Sequence, residues 1–156
     1  MATHQDTCGI CEQIGRCRDG THPGLIAEMH TGFAVMGSSQ FFEGYCLLLC
    51  KAPATELHEL PAEVRLAYLV EMSQLAEAVA KVVRPHKLNY ECLGNMVHHL
   101  HFHVFPRRLS DPKPSDPVWG QMPQGAEAEK FAYDPARHGP LREEIRRALE
   151  TIRAGV

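Results

Sequence analysis

Apolar and polar positions divide the chain into segments of two periods. Leu25-Ile-Ala-Glu-Met29 and Gly32-Phe-Ala-Val-Met36 are short and mostly apolar, with Thr31-Gly32 between them. They predict two strands, about 25–29 and 32–36, joined by a tight turn. Ser38-Ser39-Gln40 is a polar connection, and the run from Gly44 to Cys50 predicts a strand buried on both faces. The period then changes. Leu69, Met72, Leu75, Ala76, Val79, Val82 and Val83 recur at helical spacing. Pro61 suits the first turn of that helix, Glu63 favours its positive end, and Pro85 ends the pattern. Residues 86–93 predict a further strand, Gly94-Asn95 breaks it, and another runs from about 97 to 105.

From Pro106 to Pro140 the prolines at 112, 114, 117, 123, 135 and 140 argue against a regular core element. This stretch, 106–140, reads as an ordered arm or long surface loop, and 141–153 as an amphipathic closing helix. Strands, one long central helix and hairpin-length connections favour an α+β fold with a mostly antiparallel sheet and a C-terminal helix. We expect a single domain over 1–156, with its core at about 22–110 and a cysteine-containing segment at 1–21.

Composition narrows the partners. A chain of 156 residues supports one hydrophobic core, and a net charge of −3 argues against a nucleic-acid polymer or an anionic membrane. A small phosphate-bearing ligand needs only a local cluster of donors. No stretch approaches the ~18 apolar residues of a membrane span. MATHQDTCGICEQ has no apolar leader, so a cytoplasmic location is expected and the six cysteines are expected to be thiols. Cys46, Cys50 and Cys92 lie in apolar runs and read as small core residues.

The strongest chemical signal is His98-His99-Leu100-His101-Phe102-His103-Val104-Phe105. On a strand, alternation places His99, His101 and His103 on one face and Leu100, Phe102 and Val104 on the other. Such a row fits a catalytic set, a metal site using the histidines as ligands, or a solvated polar face. Cys8-Gly-Ile-Cys11 fits half of a zinc site, a plain thiol pair or a redox pair. His98 reads as a strand-entry residue. Trp119 reads as a cover for the site, a dimer contact or a plug on its own domain.

The segment His99 to Phe105 fits the pattern His-φ-His-φ-His-φ-φ, with φ apolar, at every position. Leu88-Asn89 and Gly94-Asn95-Met96-Val97 precede it, Pro106-Arg107 follows, and Phe42-Glu43-Gly44-Tyr45 leads into an apolar strand upstream. On these residues the chain resembles the histidine-triad (HIT) family over roughly 25–110. It is most similar to a bacterial branch with Leu-Gly-Asn before the triad and a Pro-rich, Trp-containing tail, matched here by Val118-Trp119-Gly120.

The resemblance implies a HIT-like sheet and attack on the α-phosphate of a dinucleoside polyphosphate or nucleoside phosphoramidate. His101 would be the nucleophile, passing through a covalent nucleotidyl-histidine. The carbonyl of His99 would hold its ring, and His103 would lie against the phosphate oxygens. Asn89 matches an asparagine near the phosphates. Asn95 stands where many relatives carry glutamine, Met96 where several carry a hydroxyl, and Tyr45 where the family has histidine. Ser38 or Gln40 would replace the usual ribose contact, and Arg107 could offer a guanidinium to an acidic ligand.

No cofactor is required for this chemistry, and a homodimer is expected. Many relatives complete a zinc site from such a cysteine pair, the first triad histidine and one downstream histidine. That implies Cys8, Cys11 and His99 here. The downstream match falls near Pro53, leaving Cys17, Cys50 or His58 as substitutes. The alternatives are a catalytically weak nucleotide-binding module and a metalloprotein.

Overall fold

A computed structural model describes residues 8–155; the absence of an apolar leader over 1–7 lies outside them. Strands β1 (Leu25–Glu28), β2 (Gly32–Met36), β3 (Cys46–Cys50), β4 (Lys87–Glu91) and β5 (His101–Arg107) form one sheet. Their order is β1-β2-β3-β5-β4, and every pairing is antiparallel. Helices α1 (Gly9–Arg18), α2 (Ala62–Val83), α3 (Ala126–Glu129) and α4 (Pro135–Ala154) complete an α+β architecture.

Period-two alternation sorts the sheet into two faces. Ala34, Met36, Cys46, Leu48, Cys50, Phe102 and Val104 turn toward α2 and α4, where Tyr68, Leu75, Val79, Ile145 and Leu149 meet them. Glu71 is the polar exception on that side of α2. It is buried because its carboxylate accepts from the Thr31 backbone N–H and, at 2.6 Å, from the Thr31 hydroxyl. The β1–β2 turn is thereby tied to the central helix. On the opposite face, Phe33, Val35 and Leu49 pack under Ile10, Ile14 and Cys17 of α1. Farther along that face, Phe42, Tyr45 and Phe105 pack under Val118 of the arm. His101 and His103 emerge between these two covers.

Several expectations are corrected. Residues 9–18 form a helix; Ile10, Ile14 and Cys17 repeat at helical spacing within a segment read only for its cysteines and glycines. β5 starts at His101, not near 97, and continues through Pro106 to Arg107. Cys92 is exposed, because β4 ends at Glu91 and the chain leaves the sheet there. The closing helix starts at Pro135, inside the segment assigned to the arm. Asp134 caps it by accepting from Ala136 N at 2.9 Å, and Pro135 occupies the first helical position, where a missing N–H costs nothing.

Candidate active site

Each triad imidazole has one close hydrogen-bond partner that bears on its tautomer: a backbone carbonyl for His99 and His101, a tyrosine hydroxyl for His103. His101 Nδ1 lies 2.6 Å from the His99 carbonyl oxygen. A carbonyl only accepts, so Nδ1 carries a proton, and in the neutral ring the lone pair is therefore on Nε2. His103 Nδ1 lies 2.6 Å from the Tyr45 hydroxyl. Burial pushes that phenol far above its ordinary range, so Tyr45 keeps its proton, and His103 Nδ1 is the one acceptor beside it among the described residues, so Tyr45 donates there. Burial, and then the charge of His101, pull His103 down to about 4. His103 is therefore neutral near pH 7, accepts at Nδ1 and carries its proton on Nε2. The two rings meet edge to face with centroids 4.6 Å apart.

Tyr45 needs room to do this. Its ring stacks on Phe105 at 3.9 Å and crosses directly over Gly37. A Cβ at residue 37 would sit 2.1 Å from the Tyr45 ring, so glycine is required there. Gln40 clamps the same turn. Its amide donates to the Gly37 and Tyr45 carbonyls at 2.9 and 3.0 Å and its oxygen accepts from Gly44 N at 2.9 Å. Gln40 is thus spent on the β2–β3 connection and does not reach a ribose. Ser38 is exposed in that connection, and its carbonyl accepts from Tyr133 N at 2.8 Å.

His99 precedes β5, and its ring turns to another group. Nε2 lies 2.7 Å from the Cys50 carbonyl and must donate, which leaves the Nδ1 lone pair toward Cys11 Sγ at 3.3 Å. The donor atoms of Cys8, Cys11 and His99 all lie within 4.8 Å of one another. Tetrahedral zinc with its usual bond lengths puts sulfur and nitrogen ligands ~3.6 Å apart. A ligating histidine typically donates its other N–H to a carbonyl, as His99 does. The donor set fits zinc. Burial first, then the hydrogen bond and charge of Cys8, raise the Cys11 thiol, so a metal would displace a proton there.

Two cavities open beside His101. One of about 550 Å³ is lined by Leu93, Asn95, Met96, His101, His103 and Trp119, among others. The other, about 260 Å³, is lined by residues including Thr55, Glu56, Asn95, His98, His99 and His101. The structure therefore gathers His101, His103, Asn95 and Met96, with Tyr45 behind His103. Met96 is 93% exposed and offers no hydrogen-bond donor. His98 lies three residues before β5 and lines the smaller cavity.

Arg107 and Asn89 do not join this group. Arg107 is 3% exposed. It donates to Asp111 at 2.8 Å, to Asn89 Oδ1 at 2.9 Å and to the Asp116 and Lys113 carbonyls at 2.8 and 3.0 Å. It holds the arm down, and Asn89 serves it. That arm delivers Trp119, whose ring lies edge-on to His103 and Phe105 at 5.1 and 5.5 Å and whose indole N–H donates to Glu91. The sequence reading left Glu91 out. Its pairing opposite His103 could have signalled it once the strand register was known.

The fold has close counterparts among solved structures. A histidine triad protein from Bradyrhizobium japonicum shares 25% identity at a TM-score of 0.70, over 80% of this chain and 89% of that one. A Zn-bound histidine triad family protein from Mycobacterium smegmatis shares 21% at 0.66, over 97% and 99%. The diadenosine triphosphate hydrolase of Plasmodium falciparum, solved with cyclomarin A, shares 10% at 0.61, over 83% and 78%. No curated protein matches the chain in sequence. The HIT domain profile matches residues 24–110, more than half of the sequence, and the chain belongs to the HIT family.

Proposed function

We propose that this protein is a nucleotidyl hydrolase that uses His101 as its nucleophile. The observation that carries the reading is the 2.6 Å bond from His101 Nδ1–H to the His99 carbonyl, which leaves an Nε2 lone pair at the wall of two cavities. Family membership supports a nucleotide-directed activity, and one fold neighbour is a diadenosine triphosphate hydrolase. In the proposed reaction His101 Nε2 forms a bond to the α-phosphorus as the bond to the leaving group breaks. His103 Nε2–H hydrogen-bonds a phosphoryl oxygen as charge builds there, and the leaving group takes a proton from solvent. Water then forms the new P–O bond, the P–N bond breaks, and the water's proton returns to solvent with a nucleoside monophosphate.

Charge favours one leaving group. Among the described residues lining the two cavities there is no lysine or arginine; Glu56 lines one and Glu91 holds Trp119 at the other. A second polyphosphate arm would bring several negative charges toward these carboxylates, whereas an amine or aromatic group meets Leu93, Met96 and Trp119. We therefore place nucleoside phosphoramidates ahead of dinucleoside polyphosphates. The test is a panel of both substrate classes with wild type and His101→Ala. Expected is turnover of phosphoramidates that the variant lacks; equal turnover by the variant would remove His101 from the chemistry.

The metalloprotein reading of the triad is less favoured, since among the described residues His99 groups with the cysteines and not with His101 and His103. We propose that Cys8, Cys11 and His99 hold zinc, as supported by their donor geometry and by a Zn-bound neighbour. A homodimer is supported by the open edge of β4, with Tyr90 exposed, and by exposed Leu66 and Val70 on α2. All six cysteines are free thiols, which supports a cytoplasmic location, and no described helix is long and apolar enough to cross a membrane.

A further inference from the structure

Family membership leaves Trp119 unassigned, because it lies beyond residues 24–110 that the HIT domain profile matches. It is the sole tryptophan of the chain, and the arm carries it back to the catalytic face. Its neighbour Val118 is fully buried against Phe42, Tyr45 and Phe105. On the other side, the Gln121 amide donates to the Asp116 and Pro117 carbonyls at 3.1 and 3.0 Å and closes the turn Trp119–Gln121.

The indole itself is held from two directions. Its ring stands nearly perpendicular to those of His103 and Phe105, and its N–H donates to the Glu91 carboxylate. Glu91 is opposite His103 in the β4–β5 register and so shares its face of the sheet. Trp119 is nonetheless 42% exposed, and it lines the cavity of about 550 Å³ together with Leu93 and Met96, which are also exposed. Three large apolar side chains thus lie open at one cavity mouth, which marks a contact surface. The indole has one polar atom, and Glu91 takes it. What the indole can offer a ligand is therefore carbon and π surface, held in place before binding so that ordering it costs little. Position decides which part of a substrate lands there. Trp119 lies 5.1 Å from His103, ring centre to ring centre, and His103 Nε2–H is the phosphoryl contact of the proposed reaction. A ring on a short alkyl chain from the departing nitrogen fits that spacing, whereas a nucleoside base stands a whole ribose away from phosphorus. The Glu91 carboxylate beside the indole disfavours an anionic group at the same place.

We propose that Trp119 determines leaving-group specificity: a flat aromatic ring carried by the departing amine packs on the indole, and Glu91 is the positioning residue that holds the indole for it. The inference rests on the nucleotidyl-hydrolase reading and goes beyond it by naming the shape that is selected and the residue that selects it. Bond changes at phosphorus are those of the proposed reaction.

Two adenosine phosphoramidates test it, one of phenethylamine and one of cyclohexylethylamine, which differ in flatness and not in carbon count. In the full wild-type chain the phenyl substrate is expected to have a roughly five-fold higher kcat/KM, the scale of one aromatic contact. That ratio should fall to near one in Trp119→Leu, fall in Glu91→Ala, and return in Glu91→Gln, whose amide oxygen still accepts from the indole. A wild-type ratio near one, or an unchanged ratio in Trp119→Leu, overturns the inference; an unchanged ratio in Glu91→Ala removes Glu91 from it. Fluorescence of the sole tryptophan decides the matter if Trp119→Leu fails to fold. In His101→Ala the phenyl substrate is expected to shield Trp119 from acrylamide more than adenosine monophosphate does. Equal shielding by the two would place the base on the indole and overturn the inference. Wild-type protein that cleaves neither substrate would instead overturn the nucleotidyl-hydrolase reading itself.

Discussion

At the scale of single residues, the site is a set of proton positions. In the proposed reaction Tyr45 is a positioning residue: its hydroxyl, 2.6 Å from His103 Nδ1, donates there and so presents Nε2–H to the cavity. Tyr45→Phe keeps the burial that holds His103 neutral but removes the tautomer lock. The expected result is a mixed tautomer in ¹⁵N spectra of His103 and roughly five-fold slower turnover, the scale of one lost hydrogen bond of ~1 kcal/mol. An unchanged single tautomer would mean that Tyr45 does not set it. The depressed pKa of His103 also sets a pH dependence. Between its ordinary value near ~6.5 and its folded value of about 4, the unfolded chain binds this proton and the folded chain does not. This contribution to stability is intact above ~6.5, declines as pH falls toward about 4, and is level below that. Urea denaturation of wild type and His103→Gln across this range should show a steeper acid loss in wild type; parallel curves would contradict the assignment.

At the scale of elements, the arm is the part least legible in the sequence. Its prolines mark an irregular path, but nothing local shows that Arg107 would be drawn under it. From sequence, Arg107 fits a guanidinium offered to an acidic ligand or a solvated strand exit; the folded-back carbonyls of Lys113 and Asp116, with Asp111 and Asn89, bury it instead. Gln40 misled for the same reason, since its three partners are backbone groups of a turn. By contrast, β3 is legible from a continuous apolar run buried on both faces, and α2 from the helical spacing of its apolar positions. Arg107→Met strands a partly buried Asp111 and is expected to cost about 3 kcal/mol in chemical denaturation. Limited proteolysis should then cut first within the arm; a stability change within error would mean the arm is held by Val118 and Trp119 alone.

At the scale of the whole molecule, one face of the sheet is closed by α2 and α4, and among the described residues α1 and the arm cover the other on either side of His101 and His103. The proposed reaction and the proposed zinc ligands share that opening through His99, whose carbonyl accepts from His101 Nδ1 and whose ring faces Cys11. The outer side of α2 exposes Leu66 at 64% and Val70 at 52%, one helical turn apart. Replacing both with glutamate should yield a monomer of unchanged helix content by sedimentation and circular dichroism; a wild type that already sediments as a monomer would remove the dimer. The central claim is that His101 Nε2 is free to bond to phosphorus. Its most direct test is rapid acid-free quenching of a nucleoside phosphoramidate reaction, followed by peptide mass spectrometry. The account predicts a nucleoside monophosphate adduct on His101, absent in His101→Ala; turnover with no adduct, or an adduct on His103, would contradict it.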